Sequence, residues 1–359
     1  MHVSAVICEY NPFHRGHAAQ LQAMRDAGAE IILCVMSGHF VQRGVPALCD
    51  KYTRAAMAVR GGADLVVELP FPYCAASADF FAAAGIRVAR ALFADTLCFG
   101  SESNDPAYLE SAARSSAPGR GSRSFFDKLM KRGEHGPGPN DLLAMAYLRA
   151  LQSTDLRPMP LPRVGADHAD ETMPVTKDVY PSAAMIRHAV ATGKPFAEGI
   201  PGESLSLFTQ ALADGRAPTD FERLSSAYLT FLRFLPPALA GDFAECGGGI
   251  GELLCRSARE SASLTALFEN ARAKPVTDTH LRRAALFALC GVKWADLEAK
   301  PAFSVLLGAS ARGKSYLSSL RKTMTFPLLT KPADAAKAGP EAARQLHLWH
   351  LCDSLFVQT

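Results

Sequence analysis

Short apolar segments alternate with longer amphipathic segments over the first hundred residues of the chain. The apolar segments lack the every-second-residue polarity of a half-exposed strand, and each is followed by apolar residues at helical spacing. Strands buried on both faces have this pattern in parallel sheets that helices cover. It predicts an α/β fold with the strands VSAVIC, IILCVM, DLVVEL and DTLCFG and with helices over 15–28, 50–60 and 76–91.

The alternation loosens after Ser101. A basic segment rich in Gly, Ser and Pro runs to Pro139 and predicts an insertion or mobile loop. The order returns with NDLLAMAYLRAL, a predicted helix with Asn140 as its N-cap, then a strand MPLPRV and a helix that starts near Ser182. We therefore predict a Rossmann-like, doubly wound parallel domain over residues 1–195.

The second half of the chain has a mainly helical pattern. It predicts a mainly α-helical C-terminal domain over residues 203–359, without an internal repeat. Its last part contains a strand FSVLLGA and a possible short strand PLL. The predicted helices cover 204–213, 221–236, 249–259, 262–272, 277–291 and 311–323, and a terminal helix starts near 340.

Composition narrows the class of protein. The 359 residues are 48% hydrophobic and 20% charged, and no apolar run reaches the length of a membrane span, so we expect a cytoplasmic protein. The nine cysteines are odd in number and never form a CxxC pair, which predicts buried free thiols and no metal site. Cations cluster in 114–132 and 279–287, either as solvated faces or as contacts for a polyanion.

The stretch VICEYNPFHRGHAAQLQAM places two histidines three residues apart, directly after the first predicted strand. In an open parallel sheet, ligands bind beyond the carboxyl ends of the strands, where helix N-termini present unpaired amides. A lone histidine there is usually a cap, but in HxGH both imidazoles can face one phosphate, and Gly16 permits close approach. We interpret His14 and His17 as catalytic groups for nucleotidyl transfer from a nucleoside triphosphate.

A second element supports this interpretation. SAAMIRHAV, at a predicted helix start late in the same half, is similar to a turn of HxGH nucleotidyltransferases in which small residues precede Ile-Arg. That similarity implies that Ser182 and Arg187 bind the other side of the triphosphate, with Arg187 supplying positive charge. A serine-capped helix with an arginine in its second turn is the structural alternative.

Six longer motifs in the same order carry a more specific resemblance. They are EYNPFHRGH, SGHFVQRGVPALCDK, LCFGSE, PNDLLAMAYLRAL, YPSAAMIR and FSVLLGASARGKSYLSSLRKTMTFPLLTK. Together they resemble the bacterial tRNA(Met) cytidine acetate ligase family. The resemblance implies ATP-dependent formation of acetyl-adenylate from acetate, then acetylation of the wobble cytidine (position 34) of elongator tRNA(Met), with release of AMP and pyrophosphate.

The resemblance also implies a set of binding residues. It implies Mg²⁺ as the companion of ATP, and it assigns no protein partner. The loop motif and the cation cluster of 279–287 suggest tRNA contacts by Arg43, Lys51, Arg282 and Arg283. The implied ATP-binding residues are Val6, Ile7, Cys8, Glu9, Tyr10, Asn11, Pro12, Phe13, His14, Arg15, Gly16, His17, Ala18, Ala19, Gly100, Asn140, Arg163, Ser182 and Arg187.

Two other interpretations stay open at the level of the sequence. A small-molecule adenylyltransferase of the pantetheine-phosphate or nicotinamide-mononucleotide type would share HxGH and the Ile-Arg turn, although such enzymes are commonly complete near the size of the N-terminal part. A nonenzymatic nucleotide- or RNA-binding module would keep the fold. The intact HxGH motif favours an enzyme.

Overall fold

The computed structural model describes residues 1–103, 105–115, 138–162, 180–273 and 276–359. Seven strands in this part of the chain form one sheet in the order β5-β4-β1-β2-β3-β6-β7. The first five run parallel, β6 pairs antiparallel with β3, and β7 runs parallel to β6. The strands are β1 Val3–Cys8, β2 Ile31–Ser37, β3 Leu65–Leu69, β4 Thr96–Ser101, β5 Arg157–Pro162, β6 Ser304–Ala309 and β7 Leu328–Leu329.

Helices cover both faces of this sheet and form most of the second half of the chain. Those that cover the N-terminal strands and the segments between them are α1 Arg15–Asp26, α2 Lys51–Arg60, α3 Ala78–Ala91, α4 Pro106–Ser115, α5 Pro139–Leu151 and α6 Ala183–Ala191. The remainder are α7 Gly202–Ala213, α8 Ser225–Phe234, α9 Pro237–Ala240, α10 Ile250–Arg259, α11 Leu264–Asn270, α12 Asp278–Cys290, α13 Trp294–Glu298, α14 Ala311–Leu320 and α15 Ala343–Phe356.

The two sides of β1 belong to different hydrophobic cores. Ala5 and Ile7 pack with α3, α5 and much of the C-terminal helical region. Val6 packs on the other side with side chains of α1, α2 and α7. Because both faces are buried, the strand carries no polar alternation, and the predicted doubly wound α/β fold is confirmed.

Strand order places the ligand-binding crevice of such a fold. From β1 the chain passes outward to β2 and β3, then returns to pair β4 with the opposite side of β1. The order therefore reverses between β1 and β4, and ligands of doubly wound folds bind outside the carboxyl ends of strands at such a reversal. The HxGH turn follows β1, and Gly100 lies at the carboxyl end of β4.

The predicted division of the chain at 195–203 remains a prediction, and the structure adds a connection across it. β6, from the predicted helical region, extends the sheet beside β3, and Ser304 Oγ donates to the Glu68 carbonyl 2.6 Å away. The helices predicted in the second half are present, most of them with shorter bounds, whereas α7 starts two residues before the predicted 204. The predicted helix 221–236 is divided into a 3₁₀ turn at Phe221–Leu224 and α8, and α9 and α13 are additional helices.

Two local predictions in the loosened segment are wrong. α4 occupies part of the predicted insertion, because its apolar Leu109, Ala112 and Ala113 pack into the core. Asn140 is not an N-cap: α5 starts one residue earlier at Pro139, whose ring suits the first helical position. Residues 116–137, which include most of the proposed mobile segment, lie outside the described residues.

All nine cysteines lie in the described part of the chain and are free thiols, and eight of them are buried. Burial raises the pKa of Cys49 to about 12 and has the same effect on Cys98. Their chemistry is therefore that of small core residues. Within the described ranges, no helix combines the length and the apolar character that a membrane span requires.

Candidate nucleotide site

The candidate site lies where β1 meets α1, and its centre is the histidine pair. His14 is the N-cap of α1, and its Nδ1 accepts the N–H of Gly16 at 3.1 Å. The Nδ1 of His17 accepts the N–H of His14 at 3.3 Å, which completes a reciprocal capping box. The two rings stack with centroids 3.6 Å apart and planes 23° apart.

This capping arrangement fixes how the imidazoles are protonated. A neutral imidazole whose Nδ1 accepts a hydrogen bond carries its proton on Nε2. Both histidines are therefore assigned the tautomer with the proton on Nε2. The assignment follows from the hydrogen bonds that the two Nδ1 atoms accept. Two half-buried imidazole donors at a helix N-terminus suit an anion that gains charge during a reaction.

Gly16 allows the ring of His14 to fold back on the helix start. A Cβ at this position would lie 3.0 Å from Cε1 and 3.1 Å from Nδ1 of His14, tighter than ordinary contacts. The same Cβ would lie 3.5 Å from the Cβ of Tyr180, so Tyr180, three residues before α6, packs against the turn. The sequence analysis explained Gly16 by the close approach of a nucleotide, whereas the nearest neighbour of its added Cβ in the structure is the ring of His14.

Six of the fourteen residues of the 6–19 stretch are buried in the protein. Cys8, Glu9, Ala18 and Ala19 are half-buried, and Arg15 is exposed. If ATP binds along the whole stretch, most of its contacts must therefore be with backbone groups and with the two histidines. The side chains that are buried in the protein are those of Val6, Ile7, Tyr10, Asn11, Pro12 and Phe13.

Helix α6 brings Arg187 to the same turn. Ser182 caps α6 by accepting the N–H of Met185 at 3.2 Å, and Arg187 Nη1 donates to the Asn11 carbonyl at 2.7 Å. Burial lowers the pKa of Arg187, the carboxylate of Glu9 opposes that shift, and the nearby charge of Arg43 adds to it. The structure thus places Arg187 on the turn that leads to His14, near the charges of Glu9 and Arg43.

Residues after β4 form the other wall of the crevice. Among the residues that the structure describes, none would lie within 4 Å of a Cβ on Gly100, so this part of the chain leaves open space above the end of the strand. Asn140 Nδ2 donates to Glu102 Oε1 at 2.7 Å, and Glu102 Oε2 accepts the N–H groups of Asn140 and Asp141. Glu102 therefore caps α5 from the β4 end. Arg163 lies outside the described residues.

Residues 38–50, hereafter the buttress loop, support the HxGH turn from the side of β2. The Oδ1 of Asn11 accepts the N–H of Leu48 at 2.7 Å, and Glu9 Oε1 accepts the N–H of Gln42 at 3.0 Å. The loop is also closed on itself, because Ala47 N–H donates to the His39 carbonyl. These hydrogen bonds place the loop against the HxGH turn as a wall of the candidate site.

Arg54 is a structural residue of the site that the sequence did not reveal. Its side chain is fully buried and donates to the carbonyls of Glu9, Gly38 and Cys49. These three carbonyls belong to the turn after β1, the start of the buttress loop and its end. The available signal in the sequence was that Arg54 stands next to the apolar residues of α2, where its side chain would be buried. A buried arginine requires several hydrogen-bond acceptors, so such a position indicates a structural role.

Comparisons with known proteins agree with this geometry. The family model described as HIGH Nucleotidyl Transferase matches residues 1–359. A tRNA(Met) cytidine acetate ligase of Syntrophotalea carbinolica is 35% identical, over 92% of this chain and 85% of that protein. The chain belongs to the tRNA(Met) cytidine acetate ligase family.

Solved structures of this ligase family share the whole fold. The apo form I crystal structure of Thermotoga maritima TmcAL superposes with a TM-score of 0.85 at 26% identity, and covers 99% of this chain and 92% of its own. A form II structure of the same protein, bound with α-thio ATP, gives a TM-score of 0.84 at 26% identity, over 98% and 92% of the two chains. The predicted ligase class and ATP-binding fold are thereby confirmed.

The cations that the ligase resemblance suggested as tRNA contacts differ in their availability. Arg43, on the buttress loop, is exposed. Arg282 is half-buried, with its guanidinium 5.8 Å from the ring centroid of Phe268. Arg283 is only 13% exposed and is paired at 2.7 Å with the buried Glu245.

Lys51 does not fit the suggested role of tRNA contact. Its side chain is fully buried, and Nζ lies 3.0 Å from Glu68 Oε2 and 2.7 Å from Asp353 Oδ2. Although burial by itself acts to lower the pKa of Lys51, these two carboxylates outweigh it and raise that pKa. The sequence placed Lys51 in a polar loop and contained no sign that its two anionic partners would cover it.

Proposed function

We propose that this chain is an ATP-dependent ligase that acetylates the exocyclic amine of the wobble cytidine of elongator tRNA(Met), which forms N4-acetylcytidine. The observation that carries the proposal is the stacked histidine pair at the strand-order reversal, with both Nδ1 atoms hydrogen-bonded to backbone N–H groups at the start of α1. Family membership supplies the substrate class.

In the first half-reaction, an oxygen of acetate attacks the α-phosphorus of ATP. The bond from that phosphorus to the bridging oxygen breaks, and pyrophosphate leaves with the electron pair. The chain's part is to bind and orient: the two imidazoles stabilise negative charge on the phosphates, and Arg187 adds a fixed positive charge from α6. The β1–α1 backbone would hold the rest of the nucleotide.

In the second half-reaction, the cytidine amine attacks the acyl carbon of acetyl-adenylate. A nitrogen–carbon bond forms, the carbon–oxygen bond to AMP breaks, and the amine releases one proton. The open space above Gly100 and the exposed Arg43 lie at the edge of the sheet from which a base would enter. These features support the proposal that the tRNA approaches over the buttress loop.

Mg²⁺ would accompany ATP and neutralise phosphate charge. Over the described ranges, no cluster of three or more His, Cys, Asp and Glu side chains is arranged to hold a metal ion. This composition fits an ion bound mainly through the phosphates of the substrate and water, as Mg²⁺ commonly is.

The substrates, ATP and a tRNA, also support the expectation of a cytoplasmic protein.

The test uses the purified full chain with ATP, Mg²⁺ and labelled acetate. We expect pyrophosphate exchange that depends on acetate, and transfer of label to elongator tRNA(Met) with release of AMP. Phosphopantetheine and nicotinamide mononucleotide should not be adenylylated. Transfer of AMP to either of these small molecules, with no label in tRNA, would replace the proposal with the adenylyltransferase alternative.

A further inference from the structure

One carboxylate of the last helix contacts residues at both ends of the buttress loop. Asp353, on α15, places Oδ1 2.9 Å from Nδ1 of His39 and Oδ2 2.7 Å from Nζ of Lys51. His39 stands at the start of the loop and Lys51 directly follows its end. The ring of His39 also stacks on Phe356 of α15, with centroids 4.0 Å apart and planes 10° apart.

The contact is part of a buried set of charges. Glu68, at the end of β3, bonds Lys51 through both carboxylate oxygens and accepts the indole N–H of Trp349 at 3.0 Å. The ammonium of Lys51 thus lies between two carboxylates, those of Glu68 and Asp353, directly after the end of the loop. Because Lys51 has a second carboxylate in Glu68, loss of the Asp353 charge does not leave the ammonium unpaired.

The same loop holds the reacting turn by three separate connections. Its Gln42 N–H binds Glu9, its Leu48 N–H binds Asn11, and Arg54 joins the carbonyls of Glu9 and Gly38. Asn11 in turn receives Arg187 on its carbonyl. A displacement at either end of the loop would therefore reach the residues just before His14.

We propose that Asp353 is a positioning residue for the adenylation site, through which α15 sets the buttress loop and, with it, the β1–α1 turn. The inference rests on the proposed function for its activity measurement only. Its second measurement, the opening of the loop, needs no substrate.

The variants are Asp353→Asn, which keeps the shape but removes the charge, and Asp353→Ala. The matched control is Asp296→Ala, because Asp296 pairs with Arg344 at 2.9 Å and anchors the other end of the same helix away from the loop. A role limited to holding α15 in place predicts equal effects of the two alanine variants. Thermal midpoints of all three proteins are measured first.

In the activity measurement, kcat and KM for ATP are determined by acetate-dependent pyrophosphate exchange. We expect Asp353→Ala to lower kcat/KM about tenfold to a hundredfold, a scale known for small misplacements of a site, and the control to change it by less than about threefold. The kcat/KM of Asp353→Asn should lie between those of Asp353→Ala and the control. If Asp353→Ala does not fold, the comparison of Asp353→Asn with the control tests the positioning role.

In the second measurement, hydrogen exchange is followed at the amides of Gln42, Gly44, Ala47 and Leu48. We expect exchange at least about tenfold faster in Asp353→Asn than in the control, because the loop opens locally. Equal exchange in both variants, or equal loss of activity in Asp296→Ala, overturns the proposal. Absence of acetate-dependent exchange in the unaltered protein would instead contradict the proposed function, and the amide measurement would still test the positioning role.

Discussion

In the proposed function, each of the two histidine rings combines a structural task with a chemical one. Nδ1 of His14 caps α1, and Nδ1 of His17 returns a hydrogen bond to the backbone of His14. The backbone thereby fixes the ring orientation and leaves the proton on Nε2, so the donors are oriented before a nucleotide arrives. Substitution by alanine removes both tasks at once, which would confuse a loss of structure with a loss of chemistry.

Asparagine separates the two tasks at His14. Its side-chain oxygen is among the best N-cap acceptors, so His14→Asn should keep the stability that His14→Ala loses, about 1 kcal/mol. Both variants lack the Nε2–H donor and should lose about 2 to 4 kcal/mol of transition-state stabilisation in pyrophosphate exchange. Denaturant unfolding and exchange kinetics measure the two effects. An asparagine variant with normal exchange would show that the imidazole donor is not needed.

At the scale of elements, the buttress loop is wedged between the HxGH turn and α12. Gly44 has a φ of +71°, and a Cβ there would lie 2.6 Å from the backbone nitrogen of Arg283 and 2.8 Å from the carbonyl carbon of Arg282. The loop therefore packs directly on the backbone of a helix that is distant in sequence. Its glycine is required both by conformation and by space.

Gly44→Ala should destabilise the protein by more than its backbone conformation alone would cost. The matched control is Gly193→Ala, since Gly193 has a φ of +66° but nothing within 4 Å of its added Cβ. We expect the control to lose about 1 to 2 kcal/mol from left-handed strain, and Gly44→Ala to lose more because the helix backbone cannot yield. Equal unfolding free energies of the two variants, measured in urea, would contradict this packing.

At the scale of the whole molecule, the net charge of +3 matters less than which cations are unpaired at the surface near the site. Arg43 is exposed, Arg282 is half-buried, and Gly44 links their two segments. Arg283, adjacent in sequence to Arg282, is committed to Glu245. A tRNA bound over this region would therefore meet some of the predicted cations and not others.

The salt dependence of tRNA affinity tests this selection. Replacing both Arg43 and Arg282 with alanine should flatten the slope of log affinity against log salt by up to about two, since each phosphate contact contributes about 0.7 to 0.9. Arg283→Gln should leave the slope unchanged but lower stability by about 3 kcal/mol, because it removes the arginine that pairs with buried Glu245 and leaves only the more distant His280, at 3.8 Å, beside that carboxylate. A flatter slope in Arg283→Gln alone would reverse the assignment.

The sequence by itself determined the features that depend on near neighbours in the chain. Strands buried on both faces have an apolar pattern wherever they lie, so β1 to β4 were predicted closely, and the HxGH spacing placed both histidines on one helix start. Local signals were ambiguous where two starts compete. The helix α5 starts at Pro139, which suits the first helical position, and Asn140 is not its N-cap. The carboxylate of Glu102, which directly follows β4, accepts the N–H groups of the first turn instead.

Only the tertiary structure decided which charged residues are free to act. Lys51 looks like a surface cation in its polar loop, yet its partner Asp353 lies 302 residues away. Arg283 pairs with Glu245, 38 residues away, and the buried Arg54 donates to three carbonyls from different segments. The physical reason is that the free energy of burying a charge depends on the partners that folding brings to it, and a linear pattern of residues does not contain their positions.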